Sequence, residues 1–159
     1  MAVTAQTTHQ PSRLRLGRVL LEMGLISDDE LAELLARQRQ QGGRLGDLLV
    51  SDKRLTPEQV AKAVARRLGV EYLPLVEAPD RAIVGRLDPG VARRYLALPV
   101  RRDEHGQLVV AMVDPNDLTA IDDLALLLGE SFRPALAMPE SIVAHIGVGG
   151  SVEAMVAVA

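Results

Sequence analysis

The chain repeats itself, and the repeat limits what it can fold into. The stretch RLGRVLLEMGLI, Arg15 to Ile26, returns as RLGDLLVSDKRL, Arg44 to Leu55, and the copies align without a gap at one fixed spacing. A period of roughly 30 residues marks a repeated supersecondary unit whose apolar face is covered by its neighbour. Arg15, Leu16, Gly17 and Leu20 match Arg44, Leu45, Gly46 and Leu49. Ile26 then matches Leu55, Leu31 matches Val60, Ala32 matches Ala61, and Leu35 matches Val64.

The capping chemistry repeats as well. Ser27 and Glu30 form an S-x-x-E capping box, and Thr56, Pro57 and Gln59 give a T-P-x-Q version with proline at the first helical position. Each unit therefore reads as helix, turn, helix, with helices expected near 15–23, 28–40, 44–52 and 57–68. Leu31, Leu34 and Leu35, and in the second unit Val60, Ala63 and Val64, face inward.

The pattern changes after Gly69. VEYLPL predicts a short strand ending at Pro74, and the stretch from Glu77 to Gly90 is a connection holding a short element in AIVGRL. DPGVARRYLA reads as a helix, and LPVRRDEHGQLVVAMVD as two strands around a turn at Glu104–Gly106. LTAIDDLALLLG is a helix closed by Gly129, SFRPALAM a strand, and PESIVAHIG a helix. The expected class is α+β: a four-short-helix subdomain over 14–69, then a small α/β sandwich over 70–147 with a three- to four-stranded sheet. Residues 1–13 read as a disordered leader, and 148–159 as a linker or docking tail.

Composition excludes more than it selects. The net charge of −3, the pI near 5.6 and only three aromatic residues leave neither a basic field nor stacking platforms, which argues against nucleic acid as a partner. The absence of cysteine removes disulfides, thiolate nucleophiles and Cys-type metal sites, and fits a reducing, cytoplasmic compartment. No apolar run reaches the roughly 18 residues of a membrane span. His9, His105 and His145 fall in a leader, a turn and a late helix, a poor start for a shared metal site. Asp28–Asp29 reads as helix-start charge, and Asp122–Asp123, Arg66–Arg67 and Arg93–Arg94 as solvated surface. With no nucleophile–base pair and no metal cluster in the pattern, the chain is expected not to be an enzyme.

That leaves the Arg-Leu-Gly units. As core positions, Leu16 and Leu20, and Leu45 and Leu49, are i,i+4 pairs beside solvated arginines, a reading that does not explain the glycines. A glycine within a helix costs about 1 kcal/mol relative to alanine. In a first turn, however, it admits a ligand to backbone N–H groups, where a helix N-terminus favours phosphate. The arginine fork beside it suits the O6 and N7 edge of guanine. Gln38, two helical turns after Leu31 on the same helix face, adds an amide that donates and accepts. Two copies imply a ligand with two similar halves.

The run RLGRVLLEMGLISDDELAELLARQ, Arg15 to Gln38, resembles the motif RLGxxLxxxGxLxxxxLxxxLxxQ of MshEN-type domains, the N-terminal modules of type II secretion and type IV pilus assembly ATPases. The spacer Arg39–Gly43 is also similar, and the resemblance continues through VVAMVDPNDLTAIDDL and GESFRPALA to about residue 146. It implies binding of cyclic di-GMP, one motif for each half. Arg15 and Arg44 would meet guanine, while Leu16, Leu20, Leu45 and Leu49 would make apolar contacts. Gly17 and Gly46 would allow close approach, and Gln38 would hydrogen-bond from the second helix. Gly24, Leu31, Leu35, Asp47, Leu55, Val60 and Arg67 complete the expected ligand-binding set, and Asp114 of VDPND would close over the ligand from the α/β part. Implied partners are secretion or pilus assembly proteins, among them an ATPase or an inner-membrane platform component.

The second copy departs from the motif at two places. Lys53 stands where copy one has Gly24, and Arg67 stands where it has Gln38. If position 53 requires a left-handed conformation, lysine there costs on the order of 1 kcal/mol. These departures leave a second expectation open, a protein-docking domain whose nucleotide site has decayed. The chain contains no G-x-x-x-x-G-K-[ST] phosphate loop.

Overall fold

A computed structural model describes residues 12–146, with side chains from Leu16 onward. Most of the expected leader and all of the expected tail lie outside the described residues. Two compact units divide at Gly69/Val70. Among the described residues there are eight helices and three strands, an α+β fold.

The first unit holds α1 (Ser12–Glu22), α2 (Asp28–Gln41), α3 (Leu45–Ser51) and α4 (Pro57–Leu68). Both capping boxes form: the Glu30 amide donates to Ser27 Oγ at 3.2 Å and the Ser27 amide to Glu30 Oε1 at 3.2 Å, with Gln59 and Thr56 reciprocating at 3.1 and 2.9 Å. The turns that end α1 and α3 carry the same hydrogen bonds at equivalent positions of the two copies. Gly24 N–H donates to Leu21 O and Leu25 N–H to Leu20 O; Lys53 N–H donates to Val50 O and Arg54 N–H to Leu49 O, all at 3.0 Å. This is a Schellman closure, and it places Gly24 at φ +71° and Lys53 at φ +58°. The left-handed requirement expected at position 53 is met by lysine. Leu16, Leu20, Ile26, Leu34, Leu45, Leu49, Leu55 and Ala63 form the unit's core.

One boundary differs from the sequence reading. Helix α1 begins at Ser12, so Gly17 lies in its second turn and not its first. A residue there has its amide committed to the i−4 carbonyl, and the anion-binding argument from helix termini does not apply to it. Gly46, second residue of α3, does sit in a first turn.

The second unit holds α5 (Arg81–Val84), α6 (Pro89–Tyr95), β1 (Ala97–Arg102), β2 (Leu108–Met112), α7 (Leu118–Leu128), β3 (Phe132–Leu136) and α8 (Pro139–His145). Strand β2 is central, antiparallel to β1 and parallel to β3. Its run LVVAM is buried at every position, as a strand covered on both faces must be. VEYLPL does not form the expected fourth strand. It contributes a single bridge, Tyr72 to Leu136, because Pro74 has no N–H to donate and Leu75 turns the chain at φ +52°. Glu130 joins separate segments: it accepts from Arg102 at 2.8 and 3.1 Å and from Arg86, whose other nitrogen reaches Leu128 O at 2.9 Å. The two arginines hold its carboxyl at about 2, well below the ordinary 4.5. Asp123 is not simply solvated, since it accepts the Tyr95 hydroxyl at 3.0 Å.

Candidate ligand-binding site

The repeat brings its motif residues onto paired helices within the first unit. Leu16, Leu20, Leu45 and Leu49 are 7, 0, 1 and 0 % exposed, so they form the floor of the helical layer, joined by buried Leu55. Leu31 and Leu35 of α2 and Val60 of α4 are half-buried and keep apolar surface at the boundary with solvent. Asp47 is exposed in the first turn of α3, and Arg67 is half-buried in the last turn of α4. Gly24 and Lys53 are exposed at equivalent turns.

The two motif arginines differ. Arg44 is the N-cap residue of α3, extended at φ −90° and ψ 144°, exposed, and makes no side-chain capping bond. Arg15 lies inside α1, and its side chain is outside the described residues.

The glycines have a packing role that the sequence reading did not include. A Cβ at Gly17 would stand 2.8 Å from Leu31 Cδ1, and one at Gly46 would stand 2.7 Å from Val60 Cγ1. In each unit the second helix therefore fills the space a side chain would take. Leu31 and Val60 are themselves a matched pair, so this helix-on-backbone contact is duplicated along with the motif.

Gln38 is 7 % exposed, and its Nε2 donates to the Gly43 carbonyl at 2.7 Å while its backbone carbonyl accepts the Gly42 amide at 2.8 Å. Its amide thus grips the spacer between the copies. Sequence spacing puts Gln38 on the inner face but does not name this partner; the Gly42–Gly43 pair, at φ +72° and +91°, is the local sign that the chain turns sharply there. An ionic cluster was also missed. Arg37 pairs with Asp52, and Arg54 reaches Glu30 at 2.8 Å, Glu33 at 3.6 Å and Asp52 at 3.9 Å. The Arg37 guanidinium lowers the Asp52 carboxyl, and Glu30 is lowered first by the Ser27 amide and then by Arg54.

Asp114 belongs to the second unit, exposed in the turn after β2, where its Oδ1 accepts the Asn116 amide at 3.2 Å. Among the described residues no cluster of histidine and carboxylate side chains could hold a metal ion, and no helix is long and apolar enough to cross a membrane.

The sequence profile of the MshEN domain matches residues 68–147. The type IV pilus assembly ATPase PilB of Thermus thermophilus is 40% identical over 150 residues, which cover 74% of this chain and 17% of PilB. PilB of Myxococcus xanthus is 31% identical, covering 80% of this chain and 23% of its own length. The chain thus spans less than a quarter of either relative. A solved structure of MshE with cdg superposes with a TM-score of 0.64 at 33% identity, covering 81% of this chain and 94% of that one.

Proposed function

The chain belongs to the MshEN domain family, and from that premise we propose that it is a binding module for cyclic di-GMP, with one Arg-Leu-Gly unit for each half of the ligand. The observation that carries this reading is the duplication itself. Motif residues, capping boxes, Schellman turns and the glycine-to-second-helix contact all recur at the same positions of the two copies. A backbone repeated at those positions offers two similar half-sites, as a two-fold-symmetric dinucleotide requires, although Arg15 lies within α1 and Arg44 caps α3. We assign Arg15 and Arg44 to the two guanine edges, where a guanidinium can donate two parallel hydrogen bonds. Arg44 is poised for this, exposed and extended at the head of α3. Leu31, Leu35 and Val60 supply accessible apolar surface, while Leu16, Leu20, Leu45 and Leu49 support it from beneath.

Lys53 speaks for a working second half and against decay, because its turn has the hydrogen bonds of the Gly24 turn. The MshE structure with cdg, one-third identical, adds support; we take cdg there as cyclic di-GMP. The module has no chemistry of its own in this reading and transmits occupancy to a secretion or pilus assembly partner. Ligand can do so only by binding two states of the protein unequally. Isothermal titration with cyclic di-GMP tests the proposal: saturable binding that Arg15→Ala and Arg44→Ala each weaken is expected, and absence of heat at millimolar ligand would refute it.

A further inference from the structure

We infer that Gln38, a residue of the first copy, serves the second half-site by positioning Arg44. This inference rests on the cyclic di-GMP reading for its functional meaning but not for its structural content. Three observations carry it. Gln38 is buried, and its amide donates at 2.7 Å to the carbonyl of Gly43, the residue directly before Arg44. The two residues between α2 and Arg44 are glycines at φ +72° and +91°, and a Gly-Gly link without a clamp has wide conformational freedom. Arg44 is the N-cap of α3, its carbonyl accepts the Leu48 amide at 3.1 Å, and its side chain makes no capping bond, so the backbone at Gly43 and Arg44 fixes the point from which the side chain departs.

The amide of Gln38 therefore ties the last turn of α2 to the head of α3. The bond is made from one copy to the other; at the equivalent position of the second copy stands Arg67, and α4 ends at Gly69 in the left-handed conformation, φ +71°. The bond thus couples the first copy to the arginine of the second.

Gln38→Met removes the donor while keeping side-chain volume, so the core is not emptied. In the free protein, hydrogen exchange at the Leu48 amide is expected to accelerate about tenfold, as follows from the loss of one hydrogen bond of ordinary strength, while amides of α4 are unchanged. Titration with cyclic di-GMP should show about tenfold weaker binding for Gln38→Met, and a double-mutant cycle locates the effect. In an Arg44→Ala background the added loss should fall below about twofold, whereas in Arg15→Ala it should stay near tenfold. Unchanged exchange at Leu48 overturns the positioning role whatever the ligand does. A full loss that persists in the Arg44→Ala background overturns it too, and makes Gln38 a direct ligand contact. If the unaltered protein does not bind cyclic di-GMP, the functional reading fails and the exchange measurement still decides whether Gln38 orders the head of α3.

Discussion

Replacing Gly17 and Gly46 by alanine, one at a time, turns the repeat into an internal control. The two sites share a motif, a helix–helix contact and a missing Cβ, but differ in what the Cβ would strike. At Gly17 it meets Leu31 Cδ1 at 2.8 Å, the far end of a side chain with two torsions to adjust. At Gly46 it meets Val60 Cγ1 at 2.7 Å, and a β-branched side chain inside a helix has one strongly preferred χ1 well. Alanine in a helix interior gains about 1 kcal/mol over glycine, while overpacking costs about 1–3 kcal/mol. At Gly17, in mid-helix, the gain and a small displacement of Leu31 nearly cancel, and the net change should lie within about 0.5 kcal/mol of zero. At Gly46, near the start of α3, the propensity gain is smaller and Val60 cannot move, so a loss of about 1–2 kcal/mol is expected. Urea unfolding followed by circular dichroism reads both, as midpoint shifts at constant m-value. In Gly46→Ala/Val60→Ala the clash is removed, and the loss should be less than the sum of the single losses. Equal effects at the two glycines, or a stabilised Gly46→Ala, would refute the packing argument.

Three further outcomes follow from the same geometry. Lys53→Gly should stabilise the chain by about 1 kcal/mol, because glycine reaches φ +58° without a Cβ penalty, and Gly24→Ala should destabilise it by a similar amount in the same urea assay. Glu130 is depressed to about 2 from 4.5, so its contribution is complete above that ordinary value and disappears as pH falls through this window. Glu130→Gln should therefore be less stable near neutrality and match the unaltered chain at the acid end, as thermal melts across that range would record. Arg54→Leu, which copies Leu25 of the first unit, should cause a small loss that vanishes in high salt, since the side chains of its partners Glu30 and Glu33 are 39 and 58 % exposed.

The parts of the fold that local chemistry determines were legible in the sequence. Ser27 with Glu30 and Thr56 with Gln59 announce helix starts from close neighbours, and α2 and α4 begin where those boxes place them. The left-handed turn at Lys53 was legible only because its twin in the first copy is Gly24. What was not legible depends on residues far apart along the chain. Nothing near Gly17 says that Leu31 will lie on it, and nothing near Glu130 names Arg86 and Arg102. VEYLPL has the composition of a strand, but Pro74 and the backbone of Leu75 reduce its pairing to one bridge. In the candidate site, the spacing placed Gln38 on the inner face, and only the course of the spacer brought Gly43 within reach of its amide.

The ionic cluster of Arg37, Asp52, Arg54 and Glu30 marks one turn of the repeat and not its twin. Two units with closely matched backbones could exchange partners, and a hairpin from one molecule could dock on the wrong twin in another. The turn after α1 presents Met23 and Leu25 where the turn after α3 presents Asp52 and Arg54. The charged face of α2, with Arg37 and Glu30, is matched only by the second of these turns. Charge thus distinguishes what the duplicated backbone leaves alike.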